Sequence, residues 1–326
     1  MGAQRLMARW TAADIPDQTG RTVLVTGANS GLGLRSAEAL AARGAAVLLA
    51  CRSPERGEAA CARVAGLATG PAPVLVALDL ADLASVRAAA AEVGELTGHL
   101  DVLMNNAGIM AVPLTRTADG FEAQFATNHL GHFALTGLVL PLLLAAPGGG
   151  RVVTTSSNVH RQGRNRWDDA NWETTPYRRW RAYGQSKLAN LLFMSELGRR
   201  AAAAGTGLVS AAGHPGYAAT HLQGASAAAT GPWPVAKAMG LASAVGNLVV
   251  AQSDAAGALP QLYAATMPDV ASGDYFGPRG PGEMRGSPTR VGMSPAARDA
   301  AAAGLLWDVS EDLTGVAYPW PADSPA

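Results

Sequence analysis

Thr22-Val-Leu-Val-Thr-Gly-Ala-Asn-Ser-Gly-Leu-Gly33 is the stretch whose reading decides the fold. It opens with the short β-branched and apolar run of a buried strand, from Thr22 to Val25. Gly27, Gly31 and Gly33 then permit a tight turn and a close approach of backbone to a ligand. The Ala- and Leu-rich segment that follows, Leu34 to Arg43, reads as a helix. The N–H groups that open such a helix, with the positive end of its dipole, can hold a pyrophosphate. The spacing is Thr-Gly-x3-Gly-x-Gly rather than Gly-x-Gly-x2-Gly, and it gains weight from standing at the first strand of a longer pattern. Gly27, Asn29, Ser30, Gly31, Leu32 and Gly33 are therefore the first candidates for nucleotide binding.

Outward from this turn, apolar runs of strand length recur at Ala46 to Ala50, Val74 to Leu78, Val102 to Met104, Val152 to Thr155 and Leu208 to Ala212. Helix-like segments separate them, among them Leu83 to Leu96 and Phe121 to Leu144. Continuous apolar strands alternating with helices predict a parallel sheet covered on both faces. Right-handed crossovers make it a Rossmann-type, doubly wound α/β fold. Residues 1–18 read as an N-terminal arm, and 19–326 as a single nucleotide-binding domain with a C-terminal substrate-side extension. Two segments break the rhythm. His160 to Arg181 is polar, with six Arg and three Trp, and Tyr275 to Pro295, rich in Gly and Pro, reads as an irregular surface loop. Ala296 to Val316 reads as a helix on which Leu305, Leu306, Val309 and Leu313 form the apolar stripe, packed against the core or the substrate mouth.

Composition narrows the function classes. The 326 residues carry 25 basic and 25 acidic side chains, so nucleic acid and anionic membrane surfaces are poor partners. No stretch reaches the ~18 apolar residues of a membrane span; Phe133 to Ala146 is short and broken by Pro141. Met1 to Trp10 has two Arg without an apolar run behind them, unlike a secretory signal, and Leu6 stands where a myristoylation site needs Ser or Thr. Cys51 and Cys61 make neither a disulfide framework nor a metal set, and read as small buried hydrophobes in a cytoplasmic protein without a metal.

The end of the second strand selects the cofactor. An acid there would hydrogen-bond the adenosine ribose of NAD, whereas an Arg accommodates the 2′-phosphate of NADP. This chain has Ala50-Cys51-Arg52-Ser53, with Arg56 a turn later, which points to NADP(H). Asp79-Leu80 ends the third strand, where the carboxylate can take the adenine amino group or cap the helix near Leu83. Asn106, Ala107 and Gly108 end the fourth, where small residues let a cofactor lie along the strand ends. One of only two lysines falls in Tyr183-Gly-Gln-Ser-Lys187, so phenol and ammonium share a helix face. A nearby ammonium lowers the phenol from its ordinary value of about 10 and makes Tyr183 a general acid.

Thr-Gly-x3-Gly-x-Gly, Asn-Asn-Ala-Gly, Ser-Ser at a strand end and Tyr-x3-Lys, in that order, resemble the short-chain dehydrogenase/reductase family over Gly20 to Leu222. The retinol-dehydrogenase and protochlorophyllide-reductase-like branch is most similar, through Asn29-Ser-Gly-Leu-Gly-Leu34, Ala50-Cys-Arg52, Asn128-His-Leu-Gly-His132 and Tyr183-Gly-Gln-Ser-Lys-Leu-Ala-Asn190. The resemblance implies that Tyr183 moves the proton and that Lys187 holds the nicotinamide ribose beside it. It further implies that Ser157 rather than Ser156 binds the substrate oxygen, and that Asn128 binds a water completing a proton relay. Pro215-Gly216 would flank the nicotinamide and Thr220 its amide, with His129, His132 and His214 structural. Ser157 and Tyr183 stand 26 positions apart, further than is usual in the family. The extra residues place Trp167, Trp172 and Trp180 either along the substrate entrance or folded inward, and leave homodimer, homotetramer and monomer open. Retinol dehydrogenases generally carry a membrane anchor that this sequence does not show, so a retinoid is not implied. Gly224 to Pro234, Ala- and Gly-rich, suggests an apolar ligand.

The resulting expectation is an NADPH-dependent enzyme that interconverts carbonyl and alcohol on a lipophilic small molecule. A C=C reductase or epimerase would use the same Tyr183 and Lys187, and a non-catalytic NADP(H)-sensing protein would not need the relay.

Overall fold

The structure is a computed structural model and describes residues 10–217 and 252–321. Strand β1 (Thr22–Thr26) is followed by α1 (Gly31–Ala41), β2 (Ala46–Cys51), α2 (Pro54–Ala65), β3 (Val74–Ala77), α3 (Leu83–Leu96) and β4 (Val102–Asn105). The strands fall within a residue or so of the apolar runs; except at the sheet margin β3, they are buried on both faces and have no polar face to blur their ends. Helix α4 runs through three consecutive segments, Ala123–Phe125, Ala126–Leu130 and Gly131–Leu138, the middle one wound as a π-turn. Pro141, in the first turn of α5 (Leu140–Leu144), divides the expected Phe121 to Leu144 helix in two, since its ring cannot continue an existing helix. Then come β5 (Arg151–Thr155), α6 (Arg179–Ala203), β6 (Val209–Gly213), α7 (Asp254–Thr266), β7 (Tyr275–Pro278), β8 (Pro288–Arg290) and α8 (Ala300–Thr314).

The eight strands form one sheet of order β3-β2-β1-β4-β5-β6-β7-β8, parallel throughout except that β8 runs antiparallel to β7. The chain winds outward from β1 through β2 to β3, then returns to the other side of β1 as β4. That reversal is the switch point at which ligands bind beyond the strand ends in such sheets. Alternate residues serve opposite layers. Val23, Val25, Val47 and Leu49 pack with Leu40, Val64 and Leu262 of α1, α2 and α7. Leu24, Leu48 and Leu103 pack with Val86, Phe133, Phe193 and Trp307 from α3, α4, α6 and α8. Trp10 and Ile15 are buried in the first of these layers, Trp10 edge-on to Tyr263 with ring centroids 5.2 Å apart.

Two expectations need correction. Tyr275 to Pro295 is not simply an irregular loop, because Tyr275 and Phe276 are buried in β7 and extend the sheet to β8. The glycine that suggested a loop is instead a packing requirement, since a Cβ on Gly277 would fall 2.0 Å from His214 Nε2. On α8 the inward stripe is Leu306 and Trp307 with the partly buried Val309 and Leu313, whereas Leu305 is 54% exposed. Among the described residues no helix is long and apolar enough to cross a membrane.

Candidate active site

At the nucleotide end, Gly27, Asn29, Ser30, Gly31, Leu32, Arg52, Asp79, Leu80, Asn106, Ala107 and Gly108 all line one cleft of about 390 Å³, together with Arg56, Ile109 and Thr127. Gly27 has a positive φ of +65°, and a Cβ there would come within 2.9 Å of Ala107 Cβ. A Cβ on Gly33 would sit 2.5 Å from Gly27 O and from Asn106 Nδ2. Helix α1 therefore packs against the end of β1 only because no side chain intervenes. Ser30 precedes α1 but its hydroxyl caps none of the first N–H groups, which stay available to an anion. The cleft thus fits a dinucleotide phosphate on the donors it offers. Arg52 is two-thirds exposed and lies 3.9 Å from Asp79. The cap of α3 is Asp82, which accepts from Ala84 N–H at 2.9 Å, so Asp79 has no capping task there.

Asn106 serves as floor rather than as a free ligand. Its Nδ2 donates to Thr26 O at 2.8 Å, and its Oδ1 accepts from Gln261 Nε2 at 3.1 Å. Gln261, on α7, also donates to Ser36 Oγ and accepts from Thr155 Oγ1, both at 2.8 Å. It joins α1, β4 and β5 from behind, and one Gln in an Ala-rich helix gives no signal of this in the sequence.

At the other end of the candidate site, α6 brings Tyr183 and Lys187 to the ends of β4 and β5. Lys187 Nζ donates to Thr155 O at 3.1 Å and lies 5.8 Å from the centre of the Tyr183 ring. Ser156 Oγ donates to Lys187 O at 2.8 Å, which commits that hydroxyl to the helix backbone. Ser157 is the one that opens toward Tyr183; its hydroxyl also accepts from Val159 N–H at 3.3 Å. A Cβ on Gly184 would lie 3.0 Å from Val159 O, so a glycine after Tyr183 lets the Ser157 loop settle on α6.

Asn128 sits in the π-turn of α4 and is fully buried. Its Nδ2 donates to Ile109 O and Ser186 Oγ, each at 2.9 Å, and its Oδ1 accepts from Ile109 N–H at 2.8 Å. A Cβ on Gly108 would stand 3.0 Å from Asn128 Oδ1 and 3.4 Å from Lys187 Nζ. Gly108 therefore brings the end of β4 against both side chains at once. Pro215 and Gly216 follow the end of β6, beside β5; Thr220 lies outside the described residues, as does the segment Gly224 to Pro234.

The electrostatics differ from the expectation in one respect. Burial pushes the Tyr183 phenol up to about 12, with only the Ser157 hydrogen bond opposing it. Burial also draws the Lys187 ammonium down to about 8. The ammonium is spent on the Thr155 carbonyl rather than on the phenol, so loss of solvent outweighs attraction.

The histidines divide. His129 is packed among Phe125, Phe133 and Phe193 and bonds Ser310 Oγ at 2.8 Å. His132 does more. A backbone carbonyl only accepts, so the Nδ1 that lies 3.1 Å from Asn128 O carries the proton, and Nε2 receives the Thr26 hydroxyl at 2.9 Å. Thr26 Oγ1 in turn accepts the N–H groups of Asn106 and Ala107, both at 3.0 Å.

The inserted segment lies mostly at the surface and sends a few side chains inward. Trp167 is buried and stacked near Phe125, while Trp172 meets the edge of Tyr177. Tyr177 donates to Glu122 Oε1 at 2.9 Å, and that buried carboxylate accepts the N–H groups of Gln124 and Phe125 at the start of α4. Trp180 is different: it is 45% exposed and edge-on to Tyr183, with ring centroids 6.2 Å apart.

The family model described as short chain dehydrogenase matches residues 21–230, the span that holds both ends of this site. The chain belongs to the short-chain dehydrogenase family. Within it the chain falls in the retinol dehydrogenase branch. It is 38% identical to human retinol dehydrogenase 13 over 94% of this chain and 88% of that one. Mouse retinol dehydrogenase 14 is 39% identical over 91% of this chain and 86% of that one. Among solved structures, an uncharacterized protein from Mycobacterium paratuberculosis superposes with a TM-score of 0.77 at 44% identity, covering 95% of this chain and 99% of that one. A short chain dehydrogenase from Escherichia coli CFT073 complexed with NADPH gives 0.53 at 26% identity, over 66% and 85% of the two chains.

The buried ammonium gives this short-chain dehydrogenase a measurable pH signature. Between about 8 and the ordinary 10.5, the unfolded chain holds a proton on Lys187 that the folded chain has shed. Stability contributed by this residue therefore rises with pH across that window. Lys187→Met should remove that rise in urea unfolding curves recorded at pH steps through it, and an unaltered slope would show that Lys187 titrates as an ordinary lysine.

Proposed function

We propose that this short-chain dehydrogenase is an NADP(H)-dependent oxidoreductase that interconverts a carbonyl and an alcohol on a lipophilic small molecule in the cytoplasm. The observation that carries the reading is Tyr183, a buried phenol kept protonated at neutral pH, with Ser157 bonded to it and Lys187 under its ring. A protonated acid in a desolvated site is the form needed to neutralise an alkoxide as it develops. When bound, the nicotinamide supplies or accepts the hydride.

The chain's own residues would do the rest. Ser157 orients the substrate oxygen and Tyr183 Oη gives it a proton in reduction, or takes one in oxidation. Lys187 would hold the ribose and pass a proton onward through water at Asn128, a role supported by the nearness of its Nζ and of Asn128 Oδ1 to Gly108. The N–H groups opening α1 would hold the pyrophosphate, and Arg52, with Arg56 near it in the same cleft, the 2′-phosphate. Support for NADP(H) comes from the absence of an acid at the end of β2, and the NADPH-bound relative is consistent with it. Support for a lipophilic substrate comes from the exposed indole of Trp180 beside Tyr183.

Three measurements test this. Tyr183→Phe should reduce turnover of carbonyl substrates, followed by loss of NADPH absorbance, by roughly 10²-fold or more while leaving NADPH binding intact; wild-type activity in the variant would refute the proton-donor role. Arg52→Ala should weaken NADPH about tenfold and NADH hardly at all, in keeping with loss of one charge-assisted contact, and equal losses would remove Arg52 from the phosphate site. Trp180→Ala should raise KM for bulky aromatic ketones about fivefold relative to small aliphatic ones, and parallel changes in both would place Trp180 away from the substrate.

A further inference from the structure

We propose that the buried His214 and the partly exposed Glu283 form a positioning pair that sets the Pro215-Gly216 turn at the nicotinamide end of the cleft and ties it to the loop carrying Ser157. The inference rests on the cofactor reading given above, and it concerns residues for which the proton relay has no use.

The hydrogen bonds fix the tautomer. Gly216 N–H can only donate, and it reaches His214 Nδ1 at 3.2 Å, so Nδ1 is the bare nitrogen. The ring proton is then on Nε2, which donates to Glu283 Oε2 at 3.0 Å. The His214 side chain is fully shielded from solvent, so each ring nitrogen depends on its one partner. Glu283 thus chooses which nitrogen of His214 is free to accept from the turn.

The surroundings are shaped to that pair. Glu283 takes a left-handed backbone, φ +56°, directly after Gly282 at φ +63°, and a non-glycine residue holds that conformation only where neighbours enforce it. Gly277 leaves no room beside His214 Nε2 for even a methyl group. Gly216, at φ +66°, is pressed so closely onto the same segment that a Cβ would meet Met284 O at 2.5 Å and Glu283 O at 2.8 Å. Tyr217 N–H continues the contact by donating to Met284 O at 2.8 Å.

The other side of Glu283 faces the catalytic serine. The short helix Asn158–Gln162 is opened by Ser157, and from it Arg161 approaches Glu283 Oε1 at 3.6 Å while Asn158 Nδ2 donates to Gly282 O at 3.2 Å. One residue thereby joins the serine loop to the turn. A His at this position without its carboxylate partner could rotate or change tautomer, and the turn would lose its acceptor.

The test separates the two halves of the cofactor. NADPH spans the whole cleft, whereas adenosine 2′,5′-bisphosphate occupies only the adenine half. Both are titrated into the full-length wild type, His214→Phe, His214→Asn and Glu283→Ala. His214→Phe and Glu283→Ala should weaken NADPH about tenfold and leave the bisphosphate within about twofold. His214→Asn should recover most of the loss, because Asn Oδ1 can stand where Nδ1 accepted from Gly216. Unchanged NADPH affinity in His214→Phe and Glu283→Ala overturns the proposal, as does an equal loss for both ligands, which would mark general damage. An Asn variant as weak as the Phe variant overturns the role of His214 Nδ1 as acceptor for Gly216 N–H. A wild type that binds neither ligand overturns the cofactor reading itself, and this proposal with it.

Discussion

The Thr26 hydroxyl, at the end of β1, is the contact on which both halves of the site depend. It accepts two backbone N–H groups where β4 ends and gives its own proton to His132, which holds the Asn128 carbonyl. Asn128, through its side chain, returns to Ile109, three residues beyond Asn106. The hydrogen bonds and the short chain segment close a ring around the switch point of the sheet. Thr26, Asn128 and His132 are buried, and an unpaired polar group among them would be costly, which holds the ring together. The cofactor floor and the proposed proton relay therefore share a rigid frame rather than two adjacent ones. The π-turn in α4 belongs to the same logic, because its extra residue shifts the helix register at Asn128.

Burial sets the chemistry as well as the frame. Tyr183 and Lys187 are moved in opposite directions by the same cause, the phenol away from losing its proton and the ammonium toward losing it. Nearly equal in water, the two are driven apart, to about 12 for the phenol and about 8 for the ammonium. Burial thus disfavours the phenolate–ammonium pair and keeps the phenol in its protonated form. The expectation of an ammonium simply acidifying its neighbour treated the pair as if solvated, and the Thr155 carbonyl, invisible in the sequence, is what redirected Lys187.

The strands, the glycine turn and the Tyr183–Lys187 pair were legible in the sequence because each depends on local pattern: apolar runs, glycine spacing, an i,i+4 pair; Ser157 and Asn128 were reached only through the family resemblance. What the sequence hid depends on distant partners. Gln261 is 106 positions from Thr155 and 225 from Ser36, yet bonds both. Glu122 looks like an ordinary acid near a helix start, and only Tyr177 from the inserted segment shows why it stays buried. Tyr275 to Pro295 looked irregular because glycine and proline there answer to close packing and to a sheet margin, not to a flexible turn. The inserted segment offered two fates for its tryptophans, and the structure divides them, with Trp167 inward and Trp180 at the surface beside Tyr183.

The margins of the sheet carry a consequence of their own. Among the described residues it ends on β3, four residues long with Pro71 and Pro73 just ahead of it, and on β8, three residues long and begun by Pro288. Arg290, on that last strand, is drawn into contacts with Asp269 and Asp274. Short, proline-flanked and charged strands give a neighbouring chain little backbone to pair with. Among the described residues strand-to-strand growth is discouraged at both sides, so crowding during synthesis should not propagate this sheet from one molecule to the next.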